Sequence, residues 1–186
     1  MSLREINVSA GQRNTSALHY HFGSRAGLLR AILAPHLSRL RDARATLAER
    51  LRAEHGGTLD LDAAATLLVV PHAEFLAGGP SERAFVKIAR QLTTDPALTI
   101  EEVEELLDEA SIREAIDVID RALEPLPPDL RRERIGIAMM AMIHTVADRA
   151  IFEDADPGGR PHAPLAEFIR TLRAMFVGAL TAPERD

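Results

Sequence analysis

The chain has 186 residues, a formal net charge of −6, 46% apolar side chains, 4% aromatic side chains and no cysteine. That length builds one domain, or one domain with a small head, and it can bury a core without covalent staples. The absence of cysteine excludes disulfides, thiolate metal sites and thiol catalysis and fits a reducing cytoplasm; with no apolar run long enough to span a bilayer and no leader-like start, a cytoplasmic protein without a membrane partner is expected.

The charge is unevenly spread. Residues 1–44 hold seven arginines (Arg4, Arg13, Arg25, Arg30, Arg39, Arg41 and Arg44) against Glu5 and Asp42, a local charge of +5, which leaves −11 for the other 142 residues. Opposite charge in two parts of a chain points to a polyanion-binding head on an acidic body, although an ordinary solvated helix face gives the same bias.

In chain order, nearly every segment repeats its apolar residues at helical spacing, which predicts an all-α protein. Ser2-Leu3-Arg4-Glu5 has the form of a capping box, and the short helix it opens should stop at Gly11. Asn14 suits the cap of a second short helix over 15–21, and Gly23 should end it. Ser24 caps a third helix over 25–54, striped by Leu28, Leu29, Ile32, Leu33, Leu37, Leu40, Leu47 and Leu51, with a kink expected at Pro35 and an end at Gly56-Gly57. Further helices follow over 59–77 (with Pro71 as a second kink), 80–93, 99–123, 127–155 and 164–181, divided by proline and glycine. In the last two, Ile135, Met139, Met142, Ile143 and Val146, and Leu165, Phe168, Ile169, Leu172, Met175, Phe176, Ala179 and Leu180, carry more apolar surface than a small body needs. A homodimer through these two helices, with Gly136, Ala138 and Ala141 allowing close approach, is expected.

Two short helices joined by a turn and followed by a long one form the helix-turn-helix layout. The segment "SLREINVSAGQRNTSALHYHFGSRAGLLRAIL" resembles the DNA-binding head of the TetR family of bacterial transcription regulators, through Leu3, Ile6 and Ala10-Gly11, then Leu18-His19-Tyr20-His21-Phe22, then Gly23-Ser24-Arg25 and Leu28-Leu29. His19 stands where the family most often has tyrosine, the turn at Gly11–Asn14 is one residue longer than usual, and the helix that normally precedes this segment is absent. The expected organisation is therefore a head over 1–44 that lacks its first helix, on a ligand-binding and dimerisation body over 45–186. Without that helix the head should be loosely packed and its DNA binding weakened.

The chemistry of the segment agrees with the resemblance. The first turn of a groove-bound helix reaches the bases: Thr15 and Ser16 offer hydroxyls, and Ala17 can touch a thymine methyl. His19, Tyr20 and His21 can donate to phosphates, Arg25 would join its charge to free helix-end amides, and Arg4 and Arg13 can clamp a neighbouring phosphate. The resemblance implies double-stranded DNA with a palindromic operator as partner, repression as the mode, and a small-molecule effector held in the body. His72, Phe75, Phe85, Met139 and His144 are the expected pocket residues, with ordinary core packing as the alternative for each. No enzyme, metal site or cofactor is expected: His19-x-His21 and His72-x-Glu74 point to different faces of a helix, and no phosphate loop or nucleophile elbow is present. The rival reading is a ligand-binding helical dimer that has lost DNA binding through N-terminal truncation.

Overall fold

The structure is a computed structural model and describes residues 20–94, 110–156 and 162–183. All regular structure among the described residues is helical: α1 (Arg25–Glu54), α2 (Leu61–Ala73) with a 3-10 turn (Glu74–Ala77), α3 (Pro80–Leu92), α4 (Ala110–Ala122), α5 (Pro128–Ala155) and α6 (Leu165–Leu180). The chain divides inside α1 into two compact units, Met1–Arg39 and Leu40–Asp186. The first helix expected from the sequence, residues 15–19 of the second, and the acidic block Glu101, Glu102, Glu104 and Glu105 lie outside the described residues.

Helix α1 starts where its cap residue stands: Ser24 Oγ accepts the Gly27 amide at 3.0 Å. It continues through Pro35 for 30 residues. Leu28, Leu33, Leu40, Leu47 and Leu51 are buried as the stripe requires, but Ile32 is turned outward. The helix ends on Gly56, whose φ of 69° suits a residue without a Cβ, and Gly57 donates back to the Arg52 carbonyl at 2.7 Å.

The second unit is built around α2. The carboxylate of Asp60 accepts the Ala63 amide at 2.8 Å and fixes the helix start. From Ala63 to Val69 every residue is buried. A helix with no polar side must be enclosed, and α4, α5 and α6 all pack against α2. They contribute Ile112, Ala115, Val118 and Ile119 from α4, Ala138, Met142 and Val146 from α5, and Leu172, Phe176 and Leu180 from α6. The single helix expected over 59–77 is broken: Pro71 has no amide to donate to the turn before it, and α2 gives way to the 3-10 turn within two residues.

Arginines set the remaining helix spacings. Arg83 and Lys87 on α3 both hold Asp154 on α5, with Arg83 Nε 2.7 Å from Oδ1, and Arg90 pairs with Asp148. The hydrogen bond from Lys87, followed by that from Arg83, keeps the Asp154 carboxyl below its usual range; its side chain is a third exposed, so the pair is screened. Arg149 places its guanidinium 4.4 Å over the Phe168 ring and donates to the Ala163 carbonyl, tying α5 to the start of α6. Arg173 on α6 reaches Thr66 Oγ1 at 3.2 Å.

Replacing the cap, Asp60→Ala, should cost about 1 kcal/mol and lower the melting temperature by about 2–4 °C in a chain of this size, with the helical circular dichroism retained. Thermal unfolding measures both.

Candidate functional site

Four places bear on function. The first is the start of α1. Residues 20–22 are helical and Gly23 turns the chain with φ 67°. Tyr20 is 86% exposed, and its ring meets that of His21 edge-on at 5.3 Å. His21 is also exposed, so both side chains offer donors to solvent. A Cβ on Gly27 would run into the Phe22 carbonyl, so the 20–22 turn sits hard against the first turn of α1. Arg25 opens α1. Arg4, Arg13, Thr15, Ser16, Ala17 and His19 lie outside the described residues.

The second place is the interior beneath α2. His72 is 5% exposed, and its ring lies 6.3 Å from that of Phe85, which in turn lies 4.9 Å from Phe75. Three of the five expected pocket residues thus come together. Of the others, His144 on α5 has Nε2 3.1 Å from Thr93 Oγ1, and Met139 is half-buried on the same helix. His72 Nε2 meets no hydrogen-bond partner. Burial, reinforced by the charge of Arg44, pushes the imidazole down to about 3. Arg44 itself is 5% exposed, although it stands in the basic segment that the sequence assigns to the head.

The third place was missed by sequence reasoning. A cleft of about 310 Å³ lies between α1 and α4, with Arg41, Ala45, Ala48 and Arg52 on one wall and Ala110 and Glu114 on the other. Arg52 and Glu114 close one side as a two-pronged ion pair. The spacing of positions 41, 45, 48 and 52 follows one helix face and was readable; the partner helix was not.

The fourth is the outer face of α5 and α6, and here the sequence expectation is corrected. Ala138, Met142 and Val146, and Leu172, Phe176 and Leu180, point into their own bundle. The residues left outside are Gly136, Ile137, Met140 and Ala141 on α5 and Ala174, Met175 and Gly178 on α6. Ile137 is 57% and Met175 67% exposed. The cause is that both helices are apolar on two faces, so periodicity could not tell which one turns inward. A Cβ on Gly136 or Gly178 would meet nothing within 4 Å, so the protomer itself has no need of glycine at either position.

The match to known families falls on this body. The tetracyclin repressor-like C-terminal domain matches residues 66–179, from α2 to α6 and more than half of the chain. The chain belongs to the TetR family. No curated protein and no solved structure was found to match it. The TetR match covers the unit that holds His72, Phe75, Phe85 and the outer face of α5 and α6.

The buried imidazole gives a pH signature. Below pH 6.5 the unfolded chain takes up a proton at His72 that the folded chain refuses. The stability held above pH 6.5 should therefore fall by about 1.4 kcal/mol per pH unit towards pH 3. Urea unfolding of the wild type and of His72→Leu between pH 7 and pH 4 measures this, and the substitution should remove that part of the slope.

Proposed function

We propose that the protein is a DNA-binding transcriptional regulator, a repressor released by a small-molecule effector, and that it works as a homodimer with its basic amino-terminal segment as the head. The observation that carries this reading is α1. One unbroken helix begins just after the Tyr20–Phe22 turn, where the sequence resembles a DNA-binding head, and ends inside the unit that matches the TetR body. A change in the body that moves α1 therefore acts on the chain that leads to the head. On this reading Thr15, Ser16 and Ala17 face the bases, while Tyr20, His21 and Arg25, with Arg4, Arg13 and His19 around them, face phosphates on a palindromic operator. An effector that prefers one arrangement of the body shifts the population away from the DNA-competent state.

Dimerisation is supported by the outer face of α5 and α6. Exposed Ile137, Met140 and Met175 flank Gly136 and Gly178. A glycine inside an exposed helix costs up to about 1 kcal/mol relative to alanine, and close approach of a partner helix from a second copy gives both glycines a use.

Two measurements test the reading. At Gly136 and Gly178 an added Cβ meets nothing within 4 Å in a lone protomer, so Gly136→Leu and Gly178→Leu should each keep the helical content while weakening the dimer at least tenfold in light scattering behind size exclusion. Unchanged dimers would sink the proposed interface. In gel-shift titrations against the DNA upstream of the coding sequence, a dimer making about five phosphate contacts per subunit should give a log–log salt slope near −9. A flat line would favour a ligand-binding dimer without a DNA partner.

A further inference from the structure

The cleft between α1 and α4 shares no lining residue with the His72 cluster or with the outer face of α5 and α6. It holds about 310 Å³, at the small end of ligand-binding cavities, which run from roughly 300 to 1,000 Å³. Its floor is made of methyl groups, Ala45 and Ala48 from α1 and Ala110 from α4. Ala48 is 2% exposed, so the middle of that floor is continuous with the core.

The charges of the cleft are sorted by end. Arg41 stands at one end and has no partner among the described residues. Glu49, Arg52 and Glu114 stand at the other. There Arg52 and Glu114 satisfy each other through two hydrogen bonds, and Glu49 is left without a partner among the described residues. One end is therefore cationic, and the other is anionic because two carboxylates face one guanidinium. Side chains on one helix lean the same way, so the two free groups keep the spacing of their backbone positions. Eight residues from 41 to 49, at about 1.5 Å each, set them about 12 Å apart, and a hydrogen bond of about 3 Å at either end leaves about 6 Å for a ligand to span.

We infer that this cleft binds a small extended zwitterion, an ω-amino acid, with its carboxylate on Arg41, its ammonium on Glu49 and its methylene chain over the three alanines. The inference rests on the ligand-binding reading above and adds the place and the chemical class. The guanidinium holds a carboxylate through charge-assisted bonds, and the methylenes leave water against the alanine methyls. An amino acid with both charges on one carbon is too short to reach both ends, and a simple acid or amine satisfies only one. Arg41 and Glu49 are exposed, so each pairing is screened and the affinity is modest. The ligand touches α1 and α4 together, so it favours the arrangement of those two helices that fits it.

The probe is δ-aminovalerate, titrated into the full chain and followed by NMR through the methyl signals of Ala45, Ala48 and Ala110. It should shift those signals and approach saturation by about 10 mM. Valerate, pentylamine and glycine should each bind at least about fivefold more weakly. Arg41→Gln should bring δ-aminovalerate down to the level of pentylamine, and Glu49→Gln to that of valerate. Both positions are exposed, so both variants should fold. Arg41→Glu alone should abolish binding, whereas Arg41→Glu combined with Glu49→Arg should restore it, because the ligand can turn end for end. No methyl shift at about 10 mM, equal binding of a singly charged probe, or full affinity in Arg41→Gln would overturn the inference. So would shifts confined to residues outside the cleft. If the protein binds DNA and no zwitterion, this inference fails by itself. If the zwitterion binds here and no DNA is bound, the regulator reading fails and the site stands.

Discussion

Helix α2 has no side that tolerates water, and the second unit is arranged to meet that demand. Ala64, Ala65, Leu67, Leu68 and Val69 have no accessible surface. Small residues at 63–65 let α4, α5 and α6 come close, while the leucines fill the gaps between them. Because α2 is enclosed, each surrounding helix must turn an apolar stripe inward, and its remaining faces are left for other work. The amphipathic α3 gives Phe85 and Val86 to the interior and its basic residues to the seam with α5.

That seam shows how polar contacts share the task of placing helices. Hydrophobic burial draws α3 and α5 together but says little about register. Contacts from 83 to 154, from 90 to 148 and from 93 to 144 run in opposite senses along the two helices and fix one antiparallel alignment. Each exposed pair is worth little alone, and their value lies in excluding neighbouring registers. Arg131 works in the same way, reaching Asp120 on α4 at 2.9 Å and the Leu126 carbonyl at 3.3 Å across a short turn.

The all-helical fold and most element ends were legible because proline and glycine mark them. Ser24 begins α1, Gly56-Gly57 close it, and Pro80 and Pro128 open α3 and α5. The gathering of His72 with Phe75 and Phe85 was partly legible, since a histidine and an aromatic three residues apart share a helix side. What could not be read was which apolar face of α5 and α6 turns inward. Met142 and Met140 are the same residue type two positions apart, yet one is buried and the other half-open, because the choice is made by the shape of α2 rather than by local hydrophobicity. Arg44 shows the same limit. By composition it belongs with the basic head, and only tertiary packing puts it beside His72.

Two departures from an economical protomer remain. Inside, a buried imidazole and a buried guanidinium interrupt a core that would be more stable if wholly apolar. Outside, Gly136 and Gly178 loosen helices that alanine would strengthen, where nothing in the protomer calls for the space. Local rules tend to be broken where a second molecule completes the arrangement. The outer break is apolar and lies open on two adjacent helices, which suits the same surface on another copy. Helix α5 carries Gly136 on one face and Ala138, Met142 and Val146 on the other, so a single element joins the core to the outer face.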